Sequence, residues 1–163
     1  MPWLRFWHHW RRTERACIWR PPPRGPITPS ASGEAHLFST DPARYLPHRY
    51  PFLALDRVVE LEPGARAVAR TDVSADEAFP QILLVECVAQ LAGILTIQEQ
   101  GEGGFLAAID WAEFSGMPGP GDLLTISARV VKAFGRLFMV EGEVSRDNDR
   151  LLSVRLTLGV GRL

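Results

Sequence analysis

The chain has 163 residues, a formal net charge of −1 and two cysteines, Cys17 and Cys87. This length is enough for one domain with a substantial core. Two cysteines in unrelated contexts give no disulfide framework and no metal site, so a reducing cytoplasm is the expected location. The charge is uneven, with +5 over residues 1–24 and −6 over the remainder. A mildly acidic body argues against nucleic acid as the main partner.

Residues 1–44 differ in composition from the rest of the chain. Four of the five tryptophans and six arginines lie in the first 24 residues, and a Pro-rich stretch follows. We predict a disordered extension over residues 1–44 and a single folded domain over 45–163. The alternative is an anchor that meets a membrane surface or a nucleic acid through its cationic and aromatic groups. No uninterrupted apolar run reaches the roughly 18 residues of a membrane span, so we expect no stable insertion.

The pattern after residue 45 predicts two strands, one long helix and four more strands. The helix is predicted over Pro80–Glu99, with Pro80 at its first position and the glycines Gly101, Gly103 and Gly104 ending it. A segment from Trp111 to Gly121 is predicted as a loop. The predicted strands are Phe52–Leu61, Arg66–Val73, Phe105–Ile109, Asp122–Lys132, Arg136–Arg146 and Arg150–Val160.

The helix organises the predicted fold, because it is apolar on nearly every side and must be wrapped by other elements. The later strands alternate apolar and polar residues, which indicates one sheet with one buried face. We therefore predict an α+β fold in which a curved antiparallel sheet wraps around one central helix. One helix cannot cover so wide a sheet, and its edges invite pairing with a second copy.

Glu86 and Gln90 lie four residues apart in this helix and so share one face. A carboxylate among apolar residues is costly unless it is hydrogen-bonded or used. Glu86 is therefore either a catalytic residue or a structural one whose carboxylate is hydrogen-bonded near the helix start.

Three stretches make the chain from Tyr45 to Val160 resemble the bacterial 3-hydroxyacyl-acyl-carrier-protein dehydratases of the FabZ type, which have the hotdog fold. The first is LPHRYPFL at 46–53, followed by DRV at 56–58. The second is Val85-Glu86 with Ala89-Gln90, followed by Ala92-Gly93. The third is Ile109-Asp110 with Phe114, followed by PGD at 120–122.

The resemblance implies a hotdog homodimer with an acyl tunnel at the subunit interface. The substrate would be a thioester on the phosphopantetheine arm of acyl carrier protein, a partner protein in fatty-acid or polyene-type lipid synthesis. The family needs no metal and no redox cofactor, and we expect none here. In the family, a His and a Glu from opposite subunits supply the base and the acid, and Glu86 matches the Glu.

The loop before the helix departs from the family pattern. The family carries Gly-His-Phe-Pro there, and its His is the catalytic base; here the loop is shorter, and only Ala78 and Phe79 stand in its place. No histidine follows His48 in the chain. Gln81 occupies the position of a family Gly whose N–H helps to hold the thioester carbonyl, and Ile82 follows it. The resemblance thus places substrate-binding residues at Phe79, Gln81, Ile82 and Gln90.

Three functional interpretations follow from this departure. In the first, His48 replaces the missing base and works with Glu86 as a catalytic pair, although the matching family His is structural. In the second, the protein binds acyl thioesters without turnover, or serves as a helper subunit that pairs with an active, full-motif dehydratase. In the third, Glu86 acts alone as base or nucleophile of a hotdog thioesterase. The fold does not decide among them.

Overall fold

A computed structural model describes residues 38–74, 79–97 and 102–162. A short 3-10 helix at Pro42–Arg44 precedes the sheet, and its N-cap Asp41 accepts a hydrogen bond from the Ala43 N–H. The α-helix α1 is Leu83–Thr96. The strands are β1 (Arg57–Glu62), β2 (Arg66–Asp72), β3 (Glu102–Phe114), β4 (Leu123–Phe134), β5 (Leu137–Arg146) and β6 (Asp149–Arg162).

These six strands form one sheet in the order β1-β2-β4-β5-β6-β3, with every neighbouring pair antiparallel. Helix α1 packs on one face of the sheet, and eleven of its fourteen residues are buried. The predicted arrangement of one apolar helix against an antiparallel sheet is confirmed. Strands β1 and β3 are the two edges within the described part of the chain.

The core lies between α1 and the inward residues of β4, β5 and β6. The predicted inward positions of β6 are all buried: Leu152, Val154, Leu156, Leu158 and Val160. Burial of this apolar surface is the main favourable contribution to folding. Gly142 of β5 lets the helix approach closely, because a Cβ placed there would lie 2.2 Å from Cγ1 of Val88.

Helix α1 is shorter than predicted at both ends. Before it, Leu83, Leu84 and Val85 donate N–H bonds to the carbonyls three residues earlier, so the chain from Pro80 to Ile82 forms a tight turn of 3-10 type. At the other end Ile97 is extended, and its N–H bonds to the Gly93 carbonyl. The predicted end at Glu99 lies outside the described residues, and Gly103 and Gly104 belong to β3 rather than to a turn.

The predictions for two strands were wrong in extent. Strand β3 continues to Phe114, so Trp111–Phe114 is strand and the loop begins only at Ser115. The Gly and Pro residues that break the strand begin only at residue 116, and 111–114 pair with β6. Strand β1 begins at Arg57 rather than at Phe52, because backbone groups of Phe52 and Ala54 bond to the Gln90 side chain instead of to another strand.

The packed domain extends N-terminally past the predicted boundary at residue 45. The Thr40 carbonyl accepts a 2.8 Å hydrogen bond from the N–H of Val58, and Pro42 is buried. The Ser39 N–H donates to the Tyr45 hydroxyl at 2.8 Å. The predicted disorder over residues 1–44 therefore does not hold for 38–44, and residues 1–37 lie outside the described residues. In the ranges described, no helix combines the length and the apolar character that crossing a membrane requires.

Candidate active site

The Gln90 side chain is the centre of the candidate site. It is only 3% exposed, and its amide is bonded on both sides. Its Nε2 donates to Oε1 of Glu86 and to the Phe52 carbonyl, each at 2.7 Å, and its Oε1 accepts from the Ala54 N–H at 2.9 Å. Both amide protons are therefore used within the protomer, so Gln90 holds the Glu86 carboxylate and the 52–54 backbone in one network.

Glu86 lies in the first turn of α1 and is half-buried. Its Oε1 is oriented by Gln90, as the spacing of four residues predicted, and no bond to its second oxygen is found among the described residues. Ile82 lies one turn earlier on the same side of the chain and is 60% exposed. The candidate site is therefore exposed at Ile82 and buried at Gln90, and the Glu86 carboxylate lies between them.

His48 belongs to the irregular segment that precedes the two residues bonded to Gln90, Phe52 and Ala54. The neighbouring Arg49 shapes this segment, because its guanidinium donates to the carbonyls of Leu46 and His48 at 2.8 and 2.7 Å. The imidazole is half-buried, and its Nδ1 is inaccessible and has no hydrogen-bond partner, Glu86 included, in the described residues of the protomer. Because Nδ1 is enclosed by its own protomer, Nε2 is the ring nitrogen that could meet a group from outside it.

The remaining predicted site residues lie in the turn before α1. Phe79 is half-buried and packs against the core. Gln81 is also half-buried, and its Nε2 donates to the carbonyl of Gly116 at 2.8 Å. Its side chain therefore points to the loop between β3 and β4. The N–H groups of Gln81 and Ile82 have no acceptor among the described residues, and such groups near a helix start favour negative charge.

A second cluster, which the sequence analysis did not assign, fixes the far end of this loop. Oδ2 of Asp122 accepts from the Gly119 N–H at 2.7 Å and from Nη1 of Arg146 at 2.9 Å. These two bonds hold the pKa of the Asp122 carboxyl below its usual value. The carbonyl and N–H of Val73 bond to Gly121 and Asp122 respectively. The PGD motif at 120–122 is the sequence signal for this cluster, because an Asp carboxylate in a turn accepts hydrogen bonds from nearby backbone N–H groups.

Cys87 is a structural neighbour of the site and not a reactive thiol. Its Sγ donates to the Ala54 carbonyl at 3.4 Å. Burial, and secondarily the charge of Glu86, raises the pKa of the Cys87 thiol to about 12. Since the thiolate is the nucleophilic form, this thiol is inert near neutral pH.

Metal-ligating side chains are not gathered anywhere in the described ranges: no group of three or more His, Cys, Asp or Glu residues could hold an ion. Several arginines of the outer sheet face are already paired: Arg129 and Arg155 both bond to Glu141. Arg136 likewise bonds to Glu102 at 2.7 Å. These cations are thus less available to an acidic partner than their number suggests.

Comparison with known proteins identifies relatives over most of the folded domain. The family model of the FabA-like domain matches residues 46–155. The 3-hydroxyacyl-[acyl-carrier-protein] dehydratase FabZ of Coxiella burnetii is 36% identical over 126 residues, which are 67% of this chain and 89% of that protein. FabZ of Bacillus subtilis is 34% identical over 130 residues, covering 71% of this chain and 92% of that protein.

Solved structures share the fold at lower identity. The dehydratase heterocomplex ApeI:P from Xenorhabdus doucetiae superposes with a TM-score of 0.67 and 19% identity, covering 77% of this chain and 93% of that chain. The fluoroacetyl-CoA thioesterase FlK gives a TM-score of 0.55 and 18% identity, covering 64% of this chain and 91% of that chain. These two matches indicate the hotdog fold. The same fold occurs in a dehydratase complex and in a thioesterase, so the fold alone does not identify the reaction.

Proposed function

This chain belongs to the FabA-like family, and from that premise we propose that it dehydrates 3-hydroxyacyl thioesters carried on acyl carrier protein. Glu86 serves as the acid and His48 as the base, in a site shared by two subunits. Curated relatives with 34–36% identity, each covered by the chain over about nine-tenths of its length, support the reaction class. The observation that carries the residue assignment is the Gln90 network, which ties Glu86 to the segment that follows His48.

The reaction needs a base at C2 and an acid at C3 of the acyl chain. The imidazole of His48 takes the C2 proton, and the electron pair of that C–H bond forms the C2–C3 double bond. The hydroxyl at C3 leaves with the Glu86 proton as water, so the products are an enoyl thioester and water. Charge that develops on the thioester oxygen is stabilised by the N–H groups at the turn before α1. This chemistry uses no metal and no redox cofactor.

His48 is proposed as the base because it is the one histidine within the described residues and precedes the segment bonded to Gln90. Its Nδ1 is enclosed within its own protomer, so Nε2 is the ring nitrogen that would take the proton. No histidine follows it in the sequence. Imidazole is the side-chain group best suited to exchange protons near neutral pH. In this proposal the imidazole meets Glu86 of the partner subunit, directly or through one water.

The proposed partner for dimer formation is a second copy bound along β3. This edge strand has thirteen residues, and several of its apolar side chains are exposed: Phe105 (59%), Leu106 (42%), Ile109 (47%), Trp111 (41%) and Phe114 (38%). The opposite edge, β1, has six residues and exposed charges at Arg57, Glu60 and Glu62. Short, charged edges resist pairing, whereas a long apolar edge favours it.

The test is turnover of a 3-hydroxyacyl-carrier-protein substrate by the purified protein, followed by mass spectrometry of the carrier. We expect the enoyl product from the wild type, and a loss of about 10²- to 10⁴-fold in His48→Ala and in Glu86→Gln. Glu60→Gln, a carboxylate of the β1 edge, is the matched control and should retain full activity. If His48→Ala retains wild-type turnover, the proposed base is wrong.

The same assay separates the two alternatives. A thioesterase would release free thiol from acyl thioesters, with loss in Glu86→Gln and no effect of His48→Ala. A helper subunit would be inactive alone and would raise the turnover of an added full-motif dehydratase. Either result would overturn the dehydratase proposal.

A further inference from the structure

The Gln81 side chain connects two parts of the candidate site that are 35 residues apart in sequence. Its Nε2 lies 2.8 Å from the Gly116 carbonyl oxygen, in the loop between β3 and β4. The bond joins the turn before α1 to the loop that follows β3.

This hydrogen bond holds a part of the loop that, among the described residues, no other hydrogen bond reaches. The loop begins with a bond from the Ser115 N–H to the Leu151 carbonyl, and it ends in the network of Asp122. Among the described residues, the bond from Gln81 is the one hydrogen bond that reaches the stretch 116–118. The backbone at Gly116 also lies against Leu151, since a Cβ there would be 2.8 Å from Cδ2 of Leu151. Gln81 thus fixes the side of the loop that faces the helix start.

Exposed apolar side chains flank the bond on both sides. Ile82, which follows Gln81, is 60% exposed, and Met117, which follows Gly116, is 64% exposed. Phe114, two residues before Gly116, is 38% exposed. Ile82 shares a helical face with Glu86, so this apolar group lies one turn from the carboxylate, at the open end of the site. An aliphatic chain is the part of a thioester substrate that such side chains would bind.

We propose that Gln81 is a positioning residue that sets acyl-chain selectivity by holding the 116–118 loop against the helix start. This inference rests on the proposed function, because it takes the substrate to be an acyl thioester. The fixed loop keeps Met117 and Phe114 at a set distance from Ile82, so chains that fit this spacing bind best. Gln81 acts through the loop, and its amide need not contact the reacting atoms.

The test compares binding of non-reactive amide analogues of acyl-pantetheine, with acyl chains of 4, 8, 12 and 16 carbons, by calorimetry. Gln81→Met keeps the side-chain length but removes the donor. We expect the ratio between the tightest and weakest Kd of the series to fall by about fivefold, the equivalent of one hydrogen bond of ordinary net strength. Gln81→Glu should flatten the profile further, because a carboxylate repels the Gly116 carbonyl oxygen. The control Thr157→Val removes a similar bond, from Thr157 to Asp110, and should leave the profile unchanged.

The outcomes distinguish this inference from the proposed function. If the wild type binds the analogues and Gln81→Met shows the wild-type chain-length profile, the role of Gln81 is wrong while the proposed function stands. An equal loss of affinity for all four acyl chains would also contradict the role of Gln81 in selectivity, since it would indicate that the variant disturbs the whole binding site. If the wild type binds none of the analogues, the proposed function and this inference both fail.

Discussion

At the scale of single residues, sequence spacing predicted the contact between Glu86 and Gln90 but not the hydrogen bonds between distant parts of the chain. Glu86 and Gln90 are four residues apart in a helix, so their contact follows from helical geometry. The bonds from Gln90 to Phe52 and Ala54 span 36 to 38 residues, and local sequence carries no signal for such distant pairing. The same holds for the bond from Gln81 to Gly116, which spans 35 residues.

Cys87 gives a residue-scale prediction for alkaline pH. Burial raises the pKa of its thiol from the ordinary value of 9.0 to about 12 in the folded protein. Below pH 9 the thiol is protonated in both the folded and the unfolded chain. Between pH 9 and 12 only the unfolded chain loses this proton, so the free energy of unfolding falls by up to about 1.4 kcal/mol per pH unit from this group.

Urea unfolding of the wild type and of Cys87→Ala, at half-unit steps from pH 8 to 10.5, measures this effect. The variant has its own cavity cost, so the slopes against pH are compared and not the absolute free energies. We expect a shallower alkaline slope in Cys87→Ala. Identical slopes would show that the buried thiol does not titrate as its surroundings indicate.

At the scale of elements, the type of each helix and strand followed from periodicity, while several bounds did not. Alternation identified β4, β5 and β6, because one of their faces is buried and the other is polar. Strand β3 was predicted too short, because it is exposed on both faces from Gly104 to Phe114 and its sequence therefore shows no alternation of apolar and polar residues.

The close approach of α1 to β5 gives an element-scale prediction. Gly142→Ala places a methyl group 2.2 Å from Val88 Cγ1 and 3.0 Å from the Ser127 carbonyl oxygen. We expect the free energy of unfolding to fall by about 1–3 kcal/mol, the usual cost of overpacking. Gly161→Ala in β6 is the matched control, because its added Cβ would meet nothing within 4 Å.

A double variant identifies the cause. Val88→Ala removes the methyl groups that collide with the new side chain, so the Gly142→Ala change should cost less in that background than in the wild type. If the cost is the same in both backgrounds, Val88 is not the obstacle, and the glycine is required for another reason.

At the scale of the whole molecule, the two sheet edges differ in a way that predicts the assembly. Strand β3 is long with exposed apolar side chains, and β1 is short with exposed charges. We expect Ile109→Lys on β3 to shift the protein from dimer to monomer in sedimentation velocity, because a desolvated, unpaired ammonium opposes edge pairing.

Val59→Lys on β1 is the matched control, since Val59 is exposed to a similar degree, 39% against 47% for Ile109. It should leave the sedimentation coefficient unchanged. If Val59→Lys dissociates the assembly while Ile109→Lys does not, then β1 and not β3 is the interface.

The central claim is that each active site takes His48 from one subunit and Glu86 from the other. It is tested most directly by mixing His48→Ala and Glu86→Gln proteins after denaturation and joint refolding, then assaying dehydration. In a two-fold dimer the mixed species carries one site with both groups intact, so random pairing should restore about a quarter of the wild-type activity. Activity that stays at the level of the separate variants, with mixed dimers detected by native mass spectrometry, would contradict the claim.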